Sequence, residues 1–284
     1  MPFKARLQNA TGIPVLSLEP LGGGDTARAF RMVTPHGLRF LKTLDGGTAY
    51  TGLRAEAEGL QALGAAGVLR TPEVDGVYPL ENGACLVMEW IPSRPGSPEE
   101  CRAFGANLAR MHLQKAPAFG WDSDNFLGRL PQKNPREADW VAFYVHHRLM
   151  PQYRMAIAAG LMAQSEIPTA EELCQKMAEH TPEVFPSLLH GDLWGGNFLI
   201  AENGDAVLID PAVYRGHAEV DLAMSRLFGG FPEAFYDGYY ALAPQQEGWE
   251  VRQQWYQLYY LLAHLNLFGN SYLPAVLRLR RELF

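Results

Sequence analysis

Residues 190–197 read His-Gly-Asp-Leu-Trp-Gly-Gly-Asn, and residues 207–211 read Val-Leu-Ile-Asp-Pro. No other stretch constrains the chain as tightly. An Asp or Asn beside glycine is by itself ordinary turn chemistry, because both side chains bond their own backbone. Here the two stand in a fixed relation. Asn197 lies five residues after Asp192, His190 lies two before it, and a second carboxylate, Asp210, closes the apolar strand that follows.

His-x-Asp-x-x-x-x-Asn is the spacing of a kinase catalytic loop, and Asp210 falls where a second, metal-binding carboxylate is expected. Phosphoryl transfer from ATP needs an acceptor for the substrate hydroxyl proton and hard oxygen ligands for Mg²⁺. Asp192 is the candidate base. Asn197 and Asp210 are the candidate Mg²⁺ ligands, and an amide at the first position ligates without adding a second charge beside the base.

The N-terminal third supplies the remaining parts. Lys42 closes the apolar run 38–42, a setting in which a lone ammonium needs a partner. Glu56, on the next predicted helix, is the expected partner, the pair anchoring the nucleotide phosphates. An ordinary strand-end lysine and a solvated glutamate are the plainer alternative. Gly22, Gly23 and Gly24 precede Lys42 and suit a phosphate cover. Met88, Glu89 and Trp90 suit a hinge whose backbone meets adenine.

With 48% hydrophobic and 19% charged residues over 284, the chain can bury a substantial core. The balance of 24 basic against 31 acidic residues, net −7, argues against nucleic acid or an anionic membrane as partner. Three scattered cysteines fit neither a disulfide framework nor zinc, and suit a reducing cytoplasm. The N-terminus lacks a signal-peptide core. The uncharged run 253–277 is interrupted by Gln, Asn, His, Gly and Pro and reads as buried helix.

Organisation follows from punctuation. Thr34-Pro35-His36-Gly37 between apolar runs predicts a hairpin. Leu53, Ala57, Leu60 and Leu63 recur at helical spacing, and residues 84–88 read as a buried strand. Residues 91–96, rich in Pro and Gly, form a connector, and capping boxes at Ser97–Glu100 and Thr169–Glu172 open helices beyond it. The expectation is an α+β chain: a β-rich lobe over 1–90 with one helix, then a mainly helical lobe over 91–284 broken by one short strand at 206–209.

On these residues the chain resembles the fructosamine kinase (ketosamine-3-kinase) family of the aminoglycoside and choline kinase-like fold. The motifs are HGDLWGGN and IDPAVYRGHAEVDLAMSRLFGGF, with Phe119-Gly120-Trp121-Asp122, Asn125–Gly128 and Trp140–Arg148 extending the match. The resemblance implies a bilobal protein-kinase-like fold. It implies transfer of the ATP γ-phosphate to the sugar 3-hydroxyl of a ketosamine, free or protein-bound, whose product releases the amine and so repairs glycation. It also implies Asp192 as base, Asn197 and Asp210 as Mg²⁺ ligands, and Lys42 with Glu56 as the phosphate-anchoring pair. Gly195 stands where the family commonly has Ser. Residues 24–26 read Gly-Asp-Thr, so redox control through a cysteine in that loop is unsupported. Arg215 replaces an aromatic or similar residue.

Trp194 is a candidate to stack on the sugar, against a bracing role in the core. His217 is a candidate substrate contact, with structural hydrogen bonding an even alternative. Asp221 reads as structural, and His190 as orienting the loop. The residues alone assign no role to Trp121, Asn125 or Arg215, and no oligomeric state. Two other functions stay open: phosphorylation of an aminoglycoside or amino-alcohol, and a non-catalytic nucleotide-binding protein of the same fold.

Overall fold

The computed structural model describes residues 2–22 and 27–284. Among these the chain begins with helix α1 (Phe3–Thr11), strands β1 (Ser17–Leu21), β2 (Arg28–Thr34) and β3 (Gly37–Asp45), and helix α2 (Ala49–Ala65). Strands β4 (Val74–Leu80), β5 (Gly83–Glu89) and β6 (Ser93–Arg94) lead to α3 (Pro98–His112). Next come β7 (Asn125–Leu127), β8 (Leu130–Gln132), α4 (Trp140–Tyr144), α5 (Met150–Ala158) and α6 (Ala170–Ala178). Short strands β9 (Ser187–Leu189), β10 (Phe198–Ala201), β11 (Ala206–Leu208) and β12 (Tyr214–Gly216) precede α7 (Glu219–Leu227), α8 (Glu233–Tyr240), α9 (Trp249–Phe268) and α10 (Leu273–Leu283). This is an α+β chain with two compact units.

The first unit takes in the chain up to Gly96 together with Phe198–Pro211. Its antiparallel sheet runs β1-β2-β3-β5-β4. The predicted hairpin is present. Thr34 ties its turn, donating from Oγ1 to the Gly37 carbonyl (2.8 Å) and accepting from the His36 N–H (3.1 Å). β5 reads as a continuous apolar run because both its faces are covered. Ala84, Leu86 and Met88 pack with Leu53, Ala57 and Leu60 of α2. Cys85 and Val87 pack with Leu7, Val15, Met32 and Leu41. Each large apolar side chain buried this way contributes about 1.5–3 kcal/mol.

The expected break after residue 90 differs from this division. Residues 91–96 stay with the first unit, and 198–211 return to it, because β10 pairs with β6 (Ile200↔Arg94, Ala201↔Ser93). The Leu208 N–H also donates to the Arg70 carbonyl at 2.9 Å, and Ile91, Ala201 and Val207 share one small core. A second helix, α1, also joins the expected one. Leu7 is its sole buried residue, too few to mark a stripe.

The second unit holds Ser97–Asn197 and Ala212–Phe284. Both predicted capping boxes form: Ser97 and Glu100 exchange bonds of 2.8 and 3.2 Å, as do Thr169 and Glu172. Helices α3 and α8 touch backbone to backbone. A Cβ on Gly105 would stand 1.9 Å from the Phe235 carbonyl oxygen, and one on Gly238 would stand 2.0 Å from that of Arg102. The buried run expected over 253–277 is interrupted. α9 stops at Gly269 (φ +87°), and α10 restarts with Pro274 in its first turn. Short strands β7 to β12 stand where one was expected; three or four residues are too few to show a period of two. No helix among the described residues is long and apolar enough to cross a membrane.

Candidate active site

In the first unit, alternation along β3 turns Leu41 toward the α1 side and Phe40 and Leu44 toward α2. Lys42 shares their parity and meets α2. Its Nζ lies 2.8 Å from Glu56 Oε2 and 3.0 Å from Asp210 Oδ1. One ammonium therefore serves two carboxylates. Burial opposes its charge, but Glu56 and Asp210 outweigh burial and hold it above the ordinary lysine range. Glu56 moves in the same direction. Burial raises it, Lys42 opposes, and Asp210 adds to the rise, leaving it at about 7. Asp210 follows β11 with φ 53°, the one positive φ outside glycine among the described residues. Asp tolerates this conformation better than most residues, at a strain of about 1–2 kcal/mol.

In the second unit, β9 delivers the chain to His190. Gly191 (φ +80°) passes so close to the next strand that a Cβ would stand 2.0 Å from the Ala212 carbonyl oxygen. Asp221, fully buried on α7, accepts from the N–H of His190 (2.7 Å) and of Gly191 (2.9 Å). Its Oδ2 also meets His112 Nε2 at 3.2 Å, and His112 Nδ1 meets the Tyr239 hydroxyl at 2.9 Å. The Tyr260 hydroxyl donates to the Gly191 carbonyl at 2.9 Å. His190 Nδ1 accepts the Asp192 N–H at 3.2 Å, the orienting role expected of it.

Asn197 Nδ2 donates to the Asp192 carbonyl (2.8 Å) and to Asp192 Oδ2 (3.2 Å). The amide nitrogen thus orients the carboxylate, and the amide oxygen is the atom of Asn197 with ligand chemistry. The two glycines between them are closely approached. The Trp194 ring covers Gly196, whose Cβ would stand 2.4 Å from it, and Gly195 lies against Gly230. Trp194 itself is 41% exposed.

Other candidates fall elsewhere. Gly23 and Gly24 lie outside the described residues; Gly22 is exposed. Met88 is a core residue, and Glu89 is committed, its carboxylate to Arg70 and its N–H to the Glu73 carbonyl (2.8 Å). Of the three expected hinge residues, Trp90 alone lies past the strand. His217 is buried and bonds the Tyr256 hydroxyl through Nδ1 at 2.8 Å. Burial, followed by Arg252 and His112, pushes it down to about 3.

Residues without an assigned role acquire one. Asn125 donates to the Val213 carbonyl (2.7 Å) and accepts from Gln132 (2.8 Å) and Asn134 (2.9 Å). Gln132 reaches the Ala212 carbonyl at 3.3 Å. Together they fasten the backbone just beyond Pro211. Arg148, fully buried, donates to Asn134 Oδ1 (2.6 Å) and lies 4.0 Å over the Tyr214 ring. Arg215 lies 4.6 Å over the Trp121 ring. Sequence reading missed Tyr260 altogether, since nothing local in α9 marks a hydroxyl that bonds a loop 69 residues away.

The fructosamine kinase family model matches residues 3–283. A relative from Enterococcus faecium named "Probable ketoamine kinase" is 41% identical over 256 residues, 89% of this chain and 90% of that protein. A crystal structure assigned as a fructosamine-3-kinase of Thermobifida fusca is 35% identical, with a TM-score of 0.85, covering 99% of this chain and 98% of that one. At 15% identity the likeness extends to the fold of an aminoglycoside phosphotransferase, APH(4)-Ia, solved with ADP and hygromycin B (TM-score 0.66, 100% and 98% covered). The fold is therefore protein-kinase-like.

Proposed function

Because the chain belongs to the fructosamine kinase family and is an ATP-dependent phosphotransferase, we propose that its acceptor is the 3-hydroxyl of a ketosamine, a fructosamine or ribulosamine, free or protein-bound. The observation that carries the proposal is the Asp192–Asn197 pair, held on a loop that Asp221 grips by two backbone N–H groups. Asp192 accepts the proton of the acceptor hydroxyl as its oxygen attacks the γ-phosphorus, and ADP leaves. Lys42, kept cationic by Glu56 and Asp210, is the group that meets nucleotide phosphate charge.

Asn197 and Asp210 would hold Mg²⁺. Their donor chemistry fits: one amide oxygen and one carboxylate, few protein ligands of hard type, as Mg²⁺ prefers beside substrate phosphates. When bound, the ion neutralises charge on the phosphates. Release of the amine after phosphorylation, and hence a deglycation role, belongs to the same proposal. The three free cysteines support a reducing, cytoplasmic setting.

The test is ADP release from ATP–Mg²⁺ with a synthetic fructosamine, a ribulosamine and an aminoglycoside in parallel, with ³¹P NMR locating the new ester. Turnover on a ketosamine with phosphate at C3 is expected. Preference for the aminoglycoside, or nucleotide binding without turnover on any acceptor, would overturn the assignment.

A further inference from the structure

The second unit contains a cavity of about 250 Å³ that none of Asp192, Trp194 or Asn197 lines. Its walls are mainly apolar, with Phe185, Leu222, Tyr239 and Trp249 among them. Two of the chain's exposed large apolar side chains, Leu113 (48%) and Leu242 (41%), also line it. Exposed apolar groups gathered at a concave site are a mark of ligand binding.

The buried polar groups in the wall are almost all engaged. His112 uses both ring nitrogens, on Tyr239 and Asp221. Glu219 spends both oxygens on Arg252, at 2.7 Å each. Ser187 donates to the His112 carbonyl at 2.6 Å. His217 is the exception. Trp140 Nε1 donates to the Tyr256 hydroxyl (3.1 Å), so the hydroxyl proton goes to His217 Nδ1 (2.8 Å). That bond assigns the ring proton to Nε2, which keeps some accessible surface and meets no hydrogen-bond partner among the described residues, although His217 as a whole is only 8% exposed. His217 lines the cavity.

We infer that this cavity is a second ligand site, taking a neutral fused bicyclic ring that carries one hydrogen-bond acceptor for His217 Nε2–H. Size sets the ring: an apolar cavity of about 150 Å³ holds benzene, and this one is larger by about one further ring. Charge sets neutrality. Glu183 and Glu219 oppose an anion, and Glu219 is already neutralised by Arg252, so no buried carboxylate waits for a cation. His217 stays uncharged through the physiological range. The site is also wired to the catalytic loop, because His112 in its wall is the residue that meets Asp221.

The probes are 1-indanone, which has the ring and a carbonyl acceptor, and indane, which lacks the carbonyl. Ligand-observed NMR titrations use the full chain with a non-hydrolysable ATP analogue and Mg²⁺ present at saturation. Saturable 1:1 binding of 1-indanone is expected, with indane weaker by about three- to tenfold, the value of one neutral hydrogen bond. His217→Phe should bring the two probes level. Ala243→Trp, at a partly exposed lining position and independent of whether His217→Phe folds, should weaken both at least tenfold. No saturable binding, binding lost on adding the nucleotide analogue, equal affinity of the two probes for the unmodified chain, or unchanged binding to Ala243→Trp would overturn the inference.

Discussion

Asp221 accepts the backbone N–H of Gly191 at 2.9 Å, from thirty residues further along the chain. The same carboxylate takes the N–H of His190 and meets His112, so one buried side chain fixes the entry to the 190–197 loop. Removing it strands three polar groups away from water. Asp221→Ala should therefore lower stability by about 3–5 kcal/mol, as breaking a buried pair does. Asp221→Asn, which keeps the shape, should lower kcat more than it raises KM. Urea unfolding and steady-state kinetics check both, and an unchanged kcat in Asp221→Asn would detach this residue from loop geometry.

Asp192→Asn removes the proposed base and keeps the volume. Turnover should fall by about 10²–10⁴-fold, the usual worth of a positioned base. Nucleotide affinity, read with a fluorescent ATP analogue, should stay within about threefold. Near-normal turnover would remove Asp192 from the chemistry.

Lys42→Met deprives Glu56 and Asp210 of their shared cation. The kcat/KM for ATP should fall by at least about tenfold, the equivalent of one charge-assisted bond of about 1.5–3 kcal/mol. Kinetics with ATP varied at saturating ketosamine would show it. Retention of wild-type kcat/KM would return Lys42 to an ordinary strand-end lysine.

His217 supplies a pH dependence of stability. Its folded value of about 3 lies below the ordinary 6.5, so between those values the unfolded chain binds a proton that the folded chain refuses. Stability from this group is complete above pH 6.5 and is lost as pH falls, by at most about 1.4 kcal/mol per unit. Thermal unfolding from pH 7 to pH 4 should show a shallower decline in His217→Phe than in the parent. Identical slopes would contradict the burial argument.

Gly105→Ala places a methyl where the Phe235 carbonyl already stands. Backbone cannot yield as a flexible side chain does, so α3 and α8 must separate. A loss of about 1–3 kcal/mol or more is expected, the usual penalty of overpacking. Scanning calorimetry should find Tm lowered by several degrees.

Much of this was legible along the chain because its cause is local. The β2–β3 turn, both capping boxes and the Asp192–Asn197 relation depend on residues within a few positions of one another. The β-rich unit's true extent was not legible. Residues 198–211 join it through pairing with Ser93 and Arg94, more than a hundred positions away, and no spacing rule reaches that far. Trp121, Asn125 and Arg215 were opaque for the same reason: Asn125 acts on Val213, and Trp121 stacks under Arg215.

The division is physical. By itself the sequence determined the family and the α+β class, and it marked the side chains proposed for acid–base and ligand chemistry, since these follow from residue type and short-range spacing. Only the tertiary structure decided what each buried group meets. It brought Asp210 to Lys42, set Asp221 beneath the loop, and turned His217 into a cavity wall. Those outcomes depend on how distant segments pack, because the strength of a hydrogen bond or ion pair is set by its partners and by the water it excludes.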